Sequence, residues 1–126
     1  MKINNALLDI DYIESQIKDV YSTSEVKTNK VWIDNKPIYR KCITGTTPST
    51  STYGTVSVGI TNLETMTEMT GVMDRGDGYA VPMPLNTPEF DCAYRFSSGA
   101  FITHPVANSY MDCPYRVIFE YTKTTD

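Results

Sequence analysis

One histidine, one tryptophan and three cysteines in 126 residues leave little material for catalysis or metal binding. His104 stands alone: a general base works only where a nucleophile and an orienting acid converge on it, and no spacing here supplies either. It therefore reads as structural. Ser57, in TVSVG, lacks the first glycine of a nucleophile elbow and is followed by more strand pattern instead of a helix. Cys42, Cys92 and Cys113 are odd in number, widely spaced and without a CxxC pair, which indicates neither a disulfide framework nor a zinc site. All three read as reduced and mostly buried, with a Cys92–Cys113 bridge as the lesser alternative. No metal and no cofactor is expected.

Long apolar runs are missing too. Nothing approaches the roughly 20 residues that span a bilayer, and Met1-Lys2 is not followed by a signal-peptide core. The expectation is a chain made and folded in a cytoplasm, without membrane insertion. Positive charge is in deficit, 11 Lys and Arg against 15 Asp and Glu, for a net charge of −4. A phosphate backbone has nothing to steer toward, so nucleic acid is not an expected partner.

What is present suffices for one folded unit. The chain is 40% hydrophobic and 21% charged, the balance of a globular protein. At 14.2 kDa folding removes roughly two thirds of its surface from water.

The first twenty residues follow one period and the rest another. Ile3, Leu7, Ile10, Ile13 and Ile17 recur at steps of three and four with no Gly or Pro between them, which predicts a helix over residues 4 to 20. Its apolar stripe suits packing on its own domain or a seam with the same helix of neighbouring subunits. Glu14 interrupts a strict heptad and disfavours a long coiled coil. From Tyr21 onward the pattern alternates. VSVGI at 56 to 60, FDCAYRF at 90 to 96 and YRVIFEY at 115 to 121 read as half-buried strands, the last with Tyr115, Val117, Phe119 and Tyr121 on one face and Arg116, Glu120 and Thr122 on the other. Further strands are predicted at 29 to 33, 37 to 43, 66 to 73, 79 to 83 and 100 to 104. Leu63, Met66 and Met69 also fit a helical turn. Residues 44 to 54 form a polar loop, long for a hairpin and expected to be mobile. The prolines of VPMP at 81 to 84 assign that strand to a sheet edge. About eight short strands make an all-β, jelly-roll-like antiparallel sandwich over residues 21 to 126, preceded by a short N-terminal α-helix over 1 to 20.

Asp34-Asn35 between VWI and PIY is turn chemistry, because Asn tolerates the left-handed backbone that a tight hairpin needs. Trp32 beside that turn reads as a core or interface anchor before a sugar platform. The run YSTSE at 21 to 25, WIDNKPIYRK at 32 to 41, VPMPL at 81 to 85 and the terminal FEYTKTTD resemble a group of bacteriophage and prophage virion proteins. In that group a Trp-Ile-Asp-Gly-Lys-Pro-Ile-Tyr motif opens a C-terminal β-domain of tail or head fibres. Asn35 replaces the usual Gly, which changes turn strain more than function.

The resemblance implies a non-enzymatic fibre head, commonly a homotrimer, located in a virion assembled in a bacterial host. Its partners would be other virion proteins and a host-surface glycan or protein. Ile3, Leu7, Ile10, Ile17 and Trp32 are the candidate oligomer contacts, the helix setting trimer axis and attachment. The alternatives are a capsid-decoration or tail-assembly protein that binds only virion proteins, and a surface-polysaccharide hydrolase.

DRGDG at 74 to 78 contains Arg-Gly-Asp, yet lacks the third acidic position and the closing Glu of a calcium loop. It reads as a Gly-rich hairpin turn, with receptor contact through Asp74, Arg75 and Asp77 as the alternative. Glu64, Glu68, Asp74 and Asp77 are the carboxylates from which a glycosidase pair would be drawn. Of nine tyrosines, Tyr94, Tyr115 and Tyr121 read as strand residues. Tyr53 and Tyr110 are the candidate ligand contacts, since aromatic faces flanked by Asn, Asp and Arg hold sugars by stacking and a few placed polar groups.

Overall fold

The computed structural model describes residues 19 to 126. The predicted helix lies almost wholly outside them, as do Ile3, Leu7, Ile10 and Ile17. Its last two positions, Asp19 and Val20, belong to no helix or strand.

Nine antiparallel strands form two sheets. They are β1 (Val26–Val31), β2 (Pro37–Thr46), β3 (Gly54–Ser57), β4 (Leu63–Asp74), β5 (Ala80–Met83), β6 (Asn86–Thr87), β7 (Phe90–Arg95), β8 (Ala100–Pro105) and β9 (Pro114–Lys123). One sheet runs β1-β2-β9-β4-β5 and the other β3-β8-β7-β6. The chain crosses between sheets at β2 to β3, β3 to β4, β5 to β6 and β8 to β9, and the first two crossings with the last give the jelly-roll-like core. β4-β5 and β6-β7-β8 are added as simple antiparallel neighbours.

The period-two pattern explains the core. Tyr115, Val117, Phe119 and Tyr121 of the central strand β9 are all buried, facing Phe90 and Phe101 of the other sheet. Their rings meet edge-on or tilted across the sandwich: Phe101 lies 5.8 Å from Phe119 and 5.7 Å from Tyr115, and Tyr94 5.7 Å from Phe119. Such aromatic pairs add about 0.5–1.5 kcal/mol each beyond area burial. Met73 and Met83 fill the gaps at one end.

Several boundaries differ from the sequence expectation. β4 is a full strand of 12 residues, so the helical alternative at Leu63, Met66 and Met69 fails; Met66 and Met69 pack inward against the core from an extended backbone. Gly71 within β4 allows close approach to β9, since a Cβ there would lie 2.2 Å from the Arg116 carbonyl oxygen. β1 starts at Val26 and stops before Trp32, and Ser57 ends β3. Phe96 lies outside β7 and is exposed. The 44 to 54 segment is no mobile loop at its start: β2 runs to Thr46. Buried Thr47 is pinned, its Oγ1 donating to Tyr110 O at 2.7 Å and accepting from Cys113 N at 2.9 Å. The two-residue strand β6 went unpredicted. β5 is an edge strand, where the missing N–H of Pro82 is tolerated. The cysteines are free thiols, and only Cys113 is fully buried.

The outer side of the five-stranded sheet also departs from simple alternation. Glu120 and Thr122, expected to face water, are buried along with Arg40. Arg40 donates Nε and Nη2 to Glu120 Oε2 at 2.8 and 2.5 Å, and Lys30 Nζ reaches both carboxylate oxygens at 3.0 and 3.2 Å. The segment before β1 closes over this network: Arg40 Nη1 pairs with Asp19 and donates to Val20 O at 3.1 Å, while the Tyr21 ring sits 4.1 Å from the guanidinium.

Candidate functional site

The hairpin between β1 and β2 is a turn first. Asn35 N–H donates to Trp32 O at 2.8 Å, Trp32 N–H to Lys36 O at 2.9 Å, and Asp34 Oδ1 accepts from Lys36 N at 3.0 Å. Asn35 takes φ +68°, the left-handed state that explains why Gly or Asn is wanted there. Trp32 is half-buried, while Val31 and Ile33 are 59% and 90% exposed at the tip.

The Arg-Gly-Asp run forms the β4-β5 turn, closed by Arg75 N to Tyr79 O at 2.8 Å and Gly78 N to Arg75 O at 3.1 Å. Its two charged side chains bind each other. Arg75 donates Nε and Nη2 to the Asp77 carboxylate at 2.7 and 2.5 Å and Nη1 to the Tyr110 hydroxyl at 3.2 Å, with Tyr79 and Tyr110 rings 5.0 and 5.2 Å from its guanidinium. The hydrogen bond from Arg75 lowers the Asp77 carboxyl below its ordinary range, and Arg116 does the same for Asp74 through bonds of 2.8 and 3.2 Å. A receptor that reads Arg and Asp separately would first have to part this pair. Tyr110 is a core residue, its ring 5.4 Å from Phe90, and it meets the turn only through Arg75, at its hydroxyl and ring face.

Tyr53 lies elsewhere, and a groove lies beside it. On the four-stranded sheet Phe90 and Tyr94 point inward, so Asp91, Ala93 and Arg95 point out, level with His104, Ile102 and Ala100 of β8. Tyr53 precedes β3, whose Gly54 pairs with Thr103. Its ring is 68% exposed and lies nearly parallel to the His104 imidazole, centroids 4.2 Å apart. Tyr53, Asn86, Asp91, Cys92, Ala93, Tyr94, Arg95 and Ile102 line a groove of about 410 Å³, within the range of small-ligand sites.

The groove owes its depth to the short partner of β7. β6 pairs only with Phe90 and Asp91, so the sheet loses its edge strand beyond that point. Glu89 O and Arg95 O accept bonds on the β8 side. By alternation the N–H and C=O groups of Tyr94 face the edge beyond β6, while at Cys92 the Leu85 carbonyl already lies alongside, accepting from the thiol at 3.8 Å. The groove thus combines an aromatic platform, an apolar floor at Ala93 and Ile102, a carboxylate, an amide and a guanidinium. Burial pushes the Cys92 thiol up, away from thiolate chemistry. The Asp91 Oδ1 to His104 Nδ1 distance of 3.8 Å is too long for a hydrogen bond.

Of the five ligand-contact candidates, the structure joins Arg75, Asp77 and Tyr110, turns Asp74 to Arg116, and sets Tyr53 at the groove. Sequence reasoning missed Asn86, Asp91, Arg95 and Ile102. Alternation in FDCAYRF already placed Asp91 and Arg95 on one face; the approach of Tyr53 to that face is a matter of tertiary structure. Glu64, one of the glycosidase candidates, binds Lys36 at 2.9 Å and Thr122 at 3.2 Å. Among the described residues no cluster of His, Cys, Asp and Glu is arranged to hold a metal, and no helix is long and apolar enough to cross a membrane. No family model, curated protein or solved structure matches this chain.

Proposed function

We propose that this protein is a non-enzymatic bacteriophage or prophage virion component, a fibre head that contacts a host-surface glycan through the groove beside Tyr53. The observation that carries the reading is the exposed Tyr53 ring, held flat by His104 next to Asp91, Asn86 and Arg95. An aromatic face with a few placed polar groups is how a solvent-facing site grips a sugar. The virion assignment rests on the WIDNKPIYRK and YTKTTD resemblance. Trimerisation through Ile3, Leu7, Ile10, Ile17 and Trp32 would multiply weak single sites into useful avidity.

Binding to host cells and to a glycan array tests the proposal: Tyr53→Ala should abolish both without altering the fold. A monomer in sedimentation at micromolar concentration would remove the trimer. The second reading, a capsid-decoration or tail-assembly protein, is favoured by the exposed Val31 and Ile33 at the hairpin tip, apolar side chains suited to another protein. It predicts association with a virion protein that Ile33→Asp abolishes, and no glycan binding.

A further inference from the structure

The groove carries a charge asymmetry that narrows its ligand. The chain has four arginines, and three are held by carboxylates: Arg40 by Glu120 and Asp19, Arg75 by Asp77, and Arg116 by Asp74. Arg95 makes no such pair among the described residues, and it lines the groove. A guanidinium presents donors in a planar fork that fits a carboxylate with two parallel bonds. In a chain of net charge −4 this is a local feature, since the overall field repels anions.

From this we infer that the groove binds an acidic saccharide, a uronate or another carboxylate-bearing sugar, with the sugar carboxylate on Arg95. This rests on the glycan reading of the same groove and adds the charge class to it. Asp91 and Arg95 are four residues apart on one strand, about 13 Å along it, which exceeds one pyranose ring and suits two or three linked sugars. The acidic sugar sits at the Arg95 end. A following ring stacks on Tyr53, whose face takes the apolar C–H side of a pyranose, while Asp91 and Asn86 receive hydroxyls at the other end. Cys92 and Tyr94 complete the wall. A neutral chain would meet the same platform and leave the guanidinium to water.

Calorimetric titration with matched probes tests this: trigalacturonate and sialyllactose, each beside its methyl ester, which keeps the shape and removes the charge. The acid should bind at least about tenfold more tightly than the ester, ~1.4 kcal/mol. Arg95→Gln should erase that ratio, Arg95→Lys restore part of it, and Tyr53→Ala weaken acid and ester alike. Arg95 is exposed, so these variants should keep the parent's circular-dichroism spectrum and melting point. Equal binding of acid and ester, lost in Tyr53→Ala, would overturn the acidic-sugar inference and leave the glycan reading standing. Failure of every probe to bind, or binding indifferent to Tyr53→Ala, would overturn both.

Discussion

Replacing Arg40 by Met tests the packing of the outer sheet face. Arg40 and Glu120 side chains are 2% and 6% exposed and share two hydrogen bonds at 2.8 and 2.5 Å. Removing the guanidinium leaves a buried carboxylate held only by Lys30, whose own side chain is 47% exposed. Breaking a buried pair by deleting one partner costs about 3–5 kcal/mol. Arg40→Met should fall in that range, with loss of the Asp19 and Val20 contacts included. Glu120→Leu should be destabilising too, because it leaves the buried Arg40 guanidinium with only the 61% exposed Asp19 side chain as counter-charge. The double substitution should cost far less than the sum, since two apolar side chains can fill a space from which both charges have gone. Urea denaturation followed by tryptophan fluorescence measures all three. With a slope of about 1–3 kcal/mol/M, a loss of about 3–5 kcal/mol lowers the midpoint by at least about 1 M. A cost below about 1 kcal/mol for Arg40→Met, or additivity in the double variant, would refute the reasoning.

Other outcomes follow from single positions. Gly71→Ala pushes a Cβ into the β9 backbone and should destabilise by at least about 1–3 kcal/mol, read as a lowered urea midpoint. Asn35→Ala places an ordinary side chain at φ +68° and should cost about 1–2 kcal/mol, whereas Asn35→Gly should be neutral or slightly stabilising in the same measurement. Tyr39, through its hydrogen bond to Asp126, and Tyr115, through burial, are both pushed up to about 12. The folded state therefore holds these protons more tightly, so the stability they contribute is complete below pH 10 and is lost between 10 and 12. Tyrosinate absorbance should show a late group that ionises only with unfolding. Burial raises the Glu25 carboxyl, but bonds from Lys123 and Tyr121 outweigh it and leave it below its ordinary value of 4.5. The stability from Glu25 is present above that pH and declines as pH falls through the lowered value, so Glu25→Gln should flatten the acid limb of a stability-against-pH curve.

Strand content was legible wherever one side of a strand faces the core. YRVIFEY declared its inward set because four alternate apolar residues cannot all be accommodated at the surface, and the prolines of VPMP marked an edge because they cannot donate to a ladder. Asn35 was readable as a left-handed turn residue for equally local reasons. The buried Arg40–Glu120 pair was not, because its partners are 80 positions apart and each alone looks like an ordinary surface charge. DRGDG read correctly as a turn, yet nothing in five letters shows that Arg75 and Asp77 close on each other. The groove was half legible: Tyr53 and the outward face of β7 were there to see. Their meeting depends on β3 docking against β8 and on β6 being only two residues long.

Chemical-shift mapping on the isotope-labelled protein, titrated with host-surface oligosaccharides, tests the central claim most directly. The groove account predicts perturbations confined to Tyr53, Asn86, Asp91 to Arg95, Ile102 and His104. Shifts centred on the 74 to 79 turn or the 31 to 36 hairpin, or a spectrum unchanged by every sugar, would contradict it.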